Sequence, residues 1–258
     1  MAGGAKGFVF QRVEKKYLLN SSQYEKFLDI ISPHMAVDQY GLTTICNIYF
    51  DTKEDDLVRA SIEKPPYKEK LRLRSYGIPT LSSTVYLEIK KKYSSVVYKR
   101  RISFTLKEAE DYLLEGIRPK QDSQILREID YFLQFHQPIP RLYLAYDRVA
   151  YYGKEDADFR MTFDTKIRSR RDDLFLEHGD SGVLLYDKDY YLLEIKAAST
   201  YPLWLAKALS ELEIFPVSFS KYGTVYKKEV VEKSAIKTMM YEDKIISGKE
   251  DIQTCLTV

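Results

Sequence analysis

The sequence predicts a β-rich α+β fold in which about eight antiparallel strands close into a barrel, with helices packed outside it. Three observations carry that expectation. Tyr dominates the aromatics, at 22 against 12 Phe and 1 Trp, and with the many β-branched residues it favours strands that carry a polar edge. Runs of strand length recur between turn-forming residues. Within those runs Arg and Lys alternate with apolar residues, which places the charges on one face of each strand.

Phe8 to Leu19 reads as a strand, and Asn20, Ser21 and Ser22 cap a helix over Gln23 to Ile31 that stops before Pro33. Leu42 to Phe50 is a β-branched and aromatic strand, and Glu54 to Glu63 is a short helix that Pro65 and Pro66 end. Lys68 to Tyr76, Thr84 to Lys92 and Val96 to Phe104 form an antiparallel meander. Lys107 to Glu115 and Ser123 to Phe135 have helical spacing, with Leu113, Leu114, Ile125, Ile129 and Leu133 expected in the core. Strands return at Arg141 to Tyr152 and Phe159 to Arg168, and two more are expected between Gly182 and Ala197. Pro202 starts a helix that reaches Leu212, and Tyr222 to Glu232 is helix-compatible. No linker-like tract divides the chain, so it reads as one domain over residues 8–228 with a helical or frayed tail over 229–258.

With 45% hydrophobic and 30% charged residues, the 258-residue chain has the balance of a globular protein and not of a disordered one. Its net charge of +2 is too small for bulk attraction to nucleic acid or an anionic membrane, so any anion site must come from local arrangement. Cys46 and Cys255 are the only cysteines and form no CxxC pair, which excludes a disulfide scaffold or zinc site and fits a reducing cytoplasm. No stretch is long and apolar enough to span a membrane, and no leader is expected at the N-terminus.

The charges inside the strands point to function. Arg72 and Arg74 share a face opposite Leu71 and Leu73; Glu88, Lys90 and Lys92 share one opposite Leu87 and Ile89. Lys99 with Arg101, Arg148 with Tyr146, Arg160 beside Phe159 and Met161, Glu194 with Lys196, and Glu14 with Lys16 and Arg12 repeat the pattern. Facing inwards in a barrel, these residues make a cationic lumen whose repulsion costs on the order of several kcal/mol unless an anion fills it. Guanidinium groups bind phosphate oxygens bidentately and ammonium groups act as point charges, so a mixture of both suits a chain of phosphates. Glu194, with Glu14 or Glu88 as a helper, suits Mn2+ or Mg2+ bridging phosphate oxygens; simple pairing of each Glu with a neighbouring cation is the equal alternative.

The segments RVEKKYLL, YFDT, KLRLRSYG, YLEIKKK, YKRRISF, YDRVAYY, FRMTFDTKI, LLEIKA and FPVSFSKYG, in this order, resemble the VTC domain, the polyphosphate polymerase domain of the triphosphate tunnel superfamily, in its bacterial stand-alone form. The resemblance implies an eight-stranded tunnel that binds ATP and inorganic polyphosphate, uses a divalent metal and has no protein nucleophile. Carried over by position, Lys16, Arg72, Arg74, Lys90, Lys99, Arg148 and Arg160 match phosphate ligands, and Tyr146 matches the family tyrosine. Glu194 matches the metal ligand, and Ser220 with Lys221 the end of the family's K-F-S-K segment. Arg101 and Lys196 share the same faces. Ser218 stands where the family often has lysine, and Arg12, Glu14 and Lys16 occupy the register in which related tunnel hydrolases carry E-x-E-x-K.

The implied activity is transfer of the γ-phosphoryl group of ATP to a growing polyphosphate chain, which asks for positioning and cations more than for a general base. His34, His136 and His178 accordingly read as surface or packing residues. One alternative is a tunnel hydrolase of tripolyphosphate or nucleoside triphosphate. Another is a non-catalytic polyphosphate-binding module that regulates a partner, for which a membrane protein that moves the polymer is a candidate.

Overall fold

The computed structural model of the chain describes residues 13–94, 96–186, 189–198 and 200–232. The expectations placed on 8–12, including Arg12, and on Cys255 and the end of the tail lie outside these residues. The chain divides into two units, 1–219 and 220–258. The first runs β1 (Val13–Asn20), α1 (Ser21–Ile31), β2 (Met35–Asp51), α2 (Asp56–Glu63), β3 (Tyr67–Tyr76), β4 (Thr84–Tyr93), β5 (Val96–Thr105), α3 (Leu106–Leu114), α4 (Gln124–His136), β6 (Ile139–Gly153), β7 (Arg160–Arg170), β8 (Val183–Leu184), β9 (Tyr190–Ala197) and α5 (Leu203–Glu211). The second holds α6 over 221–232.

All pairings in the sheet are antiparallel, in the order β1-β9-β7-β6-β2-β3-β4-β5, with β8 beside β7. The class, the β3–β4–β5 meander and the outer helices follow the sequence reading, with one difference. Among the described residues β1 and β5 end the sheet without pairing to each other, so the ring of hydrogen bonds is open there. The edge of β1 is instead capped by a chain segment: Tyr17 bridges Pro216, and Val217 N–H donates to Lys16 O at 2.7 Å. A proline at that point has no N–H with which to extend a ladder. Lys16 on β1 nevertheless lies close enough to Lys70 of β3 and Lys90 of β4 for its charge to act on both.

The apolar cores lie outside this curled sheet. One packs Cys46, Ile48, Leu71 and Leu87 from the strands against Leu126 and Phe132 of α4. The other packs Tyr17, Leu19, Phe163 and Ile195 against Phe27 of α1 and Leu205 of α5. Capping boxes start α1, through Asn20 and Gln23, and α3, through Thr105 and Glu108. Because the Thr105 cap starts α3 at Leu106, its buried stripe is Leu106, Ala109 and Tyr112, and that of α4 is Leu126, Ile129 and Phe132. Of the five expected core positions only Ile129 is fully buried; Leu113, Ile125 and Leu133 pack at the margin and Leu114 is exposed. Tyr112 can take the buried place because its hydroxyl reaches Asp130. The first of the two strands expected after Gly182 is only the two-residue β8.

The YFDT segment has a structural role. Buried Asp51 ends β2 and accepts from the N–H groups of Thr52 (2.8 Å), Leu57 (2.8 Å) and Val58 (2.9 Å), so one carboxylate fixes the β2–α2 turn and caps α2. Asp51→Ala leaves those donors unsatisfied and is expected to cost about 2–4 kcal/mol, lowering the melting temperature by roughly 5–15 °C in a thermal scan. A shift of less than about 2 °C would show that α2 does not depend on this cap.

Candidate functional site

Alternation sorts each strand into an outer face that joins the cores and an inner face that holds charge. Lys68, Lys70, Arg72 and Arg74 line the inner face of β3, Tyr86, Glu88, Lys90 and Lys92 that of β4, and Lys99 and Arg101 that of β5. The register sets Arg74 opposite Tyr86, Arg72 opposite Glu88, Lys70 opposite Lys90, and Lys90 opposite Lys99. Glu14 and Lys16 of β1, Glu194 and Lys196 of β9, Arg160 and Asp164 of β7, Tyr146 and Arg148 of β6, and Asn47 and Tyr49 of β2 complete the lumen.

Three arginines are fixed by buried acceptors. Arg72 donates through Nε to Glu88 Oε2 at 2.8 Å and through Nη1 to the Tyr49 hydroxyl at 3.1 Å. Arg74, only 5% exposed, donates to Asn47 Oδ1 at 2.9 Å and to the Tyr146 hydroxyl at 3.1 Å. Arg148 grips fully buried Asp164 through two bonds, at 2.5 and 2.8 Å, and lies 5.2 Å from the centre of the Tyr146 ring. Glu88 is the hub: Arg72 at 2.6 Å, Lys99 at 2.9 Å and Arg74 at 3.8 Å surround its carboxylate. Burial alone would raise its pKa, but Arg72, Arg74 and Lys99 outweigh that and hold it at about 2. Glu88 is thus paired with Arg72, Arg74 and Lys99, the ion-pairing alternative of the sequence reading.

A second cluster lies at one end of the strand path, on the paired strands β1 and β9. Lys16 Nζ lies 3.7 Å from Glu14 and 3.6 Å from Glu194, and Lys196 pairs with Glu194 at 2.7 Å. Burial would raise the Glu194 pKa, yet Lys196, Lys16 and Arg148 hold it well below the usual carboxylate range. Among the described residues no three acids or histidines converge as a ready-made metal cage. Two carboxylates facing one ammonium are nonetheless a donor set that fits a single Mg2+ or Mn2+ completed by phosphate oxygens and water.

The remaining cations have looser attachments. Exposed Arg160 donates only a long bond, 3.4 Å, to Ala157 O, and Arg101 stacks 4.6 Å from the Tyr86 ring. Lys90 is open to solvent along the lumen but walled by protein at its sides; burial lowers its pKa, Glu14 opposes that and Lys16 adds to it. Ser220 and Lys221 belong to the second unit, where Ser220 Oγ accepts from Gly223 N–H at 3.3 Å and its carbonyl from Thr224 N–H at 2.7 Å at the start of α6. Ser218 is exposed in the segment that follows the β1 bridge. The histidines lie elsewhere: His34 stacks on Trp204, and His136 and His178 pair with Glu69 and Asp173.

Six lumen residues escaped the sequence reading: Lys68, Lys70, Asn47, Tyr49, Tyr86 and Asp164. Lys70 obeys the same alternation as Arg72 and could have been found by extending it one step. Asn47, Tyr49 and Asp164 sit in apolar or mixed runs, where nothing local tells a buried acceptor from an ordinary strand residue.

The VTC domain family model matches residues 11–230. Among solved structures, a proposed adenylate cyclase from Bacillus halodurans superposes with a TM-score of 0.53 at 14% identity, over 81% of this chain and 93% of that one. A proposed adenylyl cyclase from Hippeastrum, described as having a dominant triphosphatase activity, superposes with a TM-score of 0.52 at 16% identity, over 84% of this chain and 96% of that one. Both have the fold of this chain.

Lys70 offers a test of lumen crowding that needs no ligand. Burial, then Lys68, Lys90 and Lys16, with Tyr49 opposing them, lower its pKa from 10.5 to about 8. The charged form is thus disfavoured in the folded state, and that cost is fully present below about pH 8 and fades as pH rises towards 10.5. Lys70→Met is expected to raise the melting temperature by a few degrees at pH 7, with the gain shrinking between pH 8 and 10.5. A gain independent of pH would mean that packing, and not charge, explains it.

Proposed function

Because the chain belongs to the VTC-domain family, whose matched span takes in every lumen strand, we propose that it is an ATP-dependent polyphosphate polymerase. The observation that carries this reading is the set of arginines oriented in advance: Arg72, Arg74 and Arg148 each meet a buried acceptor on their inner side. A loose phosphoryl-transfer transition state spreads charge over three equatorial oxygens, and fixed donors stabilise that charge without reorganising.

In the proposed reaction the γ-phosphoryl group leaves the β-phosphate oxygen of ATP, whose bonding electrons stay with ADP, and joins a terminal oxygen of the polyphosphate chain. That oxygen is already ionised at neutral pH, so no side chain need remove a proton. Lys90, Lys99, Arg101 and Arg160 would align the two phosphate chains, with Lys16 and Lys196 beside Glu194. Glu194 and Glu14 would hold the Mn2+ or Mg2+, which when bound neutralises phosphate oxygens. Hydrolysis of tripolyphosphate is the second reading, since the Hippeastrum protein of the same fold is described as a triphosphatase. Arg12, in the register where related hydrolases have an acid, disfavours a two-metal hydrolytic site.

Incubation of the purified chain with ATP and Mn2+ or Mg2+, with products resolved on a gel, separates the two. Long chains are the expected product, and orthophosphate alone would overturn the polymerase assignment.

Substitutions should fall into two groups. Lys90→Gln and Arg160→Gln remove solvent-open charges, so each is expected to weaken phosphate binding by about 10–100-fold at an unchanged melting temperature. Arg72→Gln and Arg148→Gln each strip a buried carboxylate of a partner, so they are expected to lose stability as well as turnover. Calorimetry beside a turnover assay checks the split, and uniform behaviour of all four would count against it.

Glu194→Gln distinguishes a metal ligand from a neutralising charge. The expected result is loss of divalent-dependent turnover with retained ATP binding. Tighter ATP binding with an unaltered Mn2+ requirement would instead leave Glu194 as a counter-charge to Lys16 and Lys196.

A further inference from the structure

The lumen charges are balanced at its middle and unbalanced towards one mouth. Glu88 sits opposite Arg72, but the next two rungs of the β3–β4 ladder set lysine against lysine: Lys70 opposite Lys90, then Lys68 opposite Lys92. Like charges directly across a ladder are destabilising. At these rungs β3, β4 and β5 present Lys68, Lys70, Lys90, Lys92, Val97 and Lys99 to the lumen and no carboxylate; Glu14 and Glu194, from across the lumen, act on Lys90. Lys64 adds to the row from the turn that ends α2, where it adopts a left-handed conformation with φ 60°. The closeness of the group shows in Lys68, whose pKa is lowered by burial and then by Lys92, Lys64 and Lys90. Lys68 also donates to Ser61 O at 3.1 Å, which anchors its ammonium near the end of α2.

We propose that Lys64, Lys68 and Lys92 form a separate subsite for a long phosphate chain, at the lumen mouth where β3 begins and β4 ends. The inference rests on the reading of the lumen as a polyphosphate site, and it adds the direction in which the polymer lies. Two residues of strand rise about 7 Å, so the Lys68–Lys92 rung is roughly 14 Å along the ladder from Arg72. A triphosphate seated on Arg72 and Arg74 is too short to reach it, whereas a longer chain passes over Lys70 and Lys90 and on to Lys68 and Lys92. The opposite end of the same ladder carries Tyr76 and Tyr86, with ring centres 5.7 Å apart, and no such lysine row. The subsite therefore selects for length: it rewards polymer and is indifferent to triphosphate.

The test compares binding of long-chain polyphosphate and of tripolyphosphate to wild type and to the Lys64→Gln/Lys68→Gln/Lys92→Gln variant. Long-chain affinity is expected to fall at least tenfold and its salt dependence to flatten, while tripolyphosphate affinity changes less than twofold. The corresponding triple arginine variant should restore long-chain binding, which a merely structural role of Lys68 at the end of α2 would not predict. Equal long-chain affinity in wild type and the glutamine variant overturns the subsite and leaves the lumen reading standing. A parallel loss of both ligands also overturns it, by showing that these lysines do not act separately from the centre. Wild type that binds neither ligand brings down the lumen reading itself, and the subsite with it.

Discussion

Mutual repulsion among inward-facing cations is the constraint around which this fold is built. A sheet that puts Arg and Lys on its inner face cannot use that face as a core, so the apolar side chains must be buried outside, between strands and helices. The two external clusters, one under α4 and one under α1 and α5, supply that burial. The inner face then depends on a few acids placed where cations are densest. Glu88 serves Arg72, Arg74 and Lys99, Asp164 serves Arg148, and Glu194 serves Lys16 and Lys196. A buried ion pair of this kind is a weak source of net stability, because desolvation offsets most of its Coulomb energy. Its effect here is orientation: each guanidinium is turned by an acceptor behind it before any phosphate arrives.

Much of this was legible because charge and strand geometry have the same period. Alternation alone places Arg72, Arg74, Lys90, Lys99, Arg148 and Glu194 on one surface, and the structure sets them on the inner faces of adjoining strands. It fails where the deciding contact is distant in sequence. Asn47 and Tyr49 look like core residues of β2 until β3 and β6 bring Arg74 and Arg72 to them, and Asp51 shows its role only once α2 folds back on it. Closure could not be read either, because β1 ends its pairing on Pro216, some 200 residues away in the chain. The helix stripes slipped for a local reason: Thr105 starts α3 at Leu106, and a tyrosine with an aspartate partner took a place that a leucine was expected to fill.

The two kinds of cation in the lumen do different physical work. Arginine keeps its charge at any pH the protein meets, and here it is bonded from behind, so in the proposed reaction it would act as a fixed electrode where transition-state charge develops. Lysine sheds its charge when crowded, and its flexible stem tolerates a ligand that moves. Arginines with buried partners occupy the middle of the ladder and lysines opposite lysines occupy one end, so the ladder passes from rigid and permanently charged to adaptable and readily discharged. In the proposed reaction, a polymer that must advance by one phosphate after each transfer would need that order. It would have to be held in one geometry where bonds change, and held loosely enough beyond that point for the chain to slip forward without losing its grip.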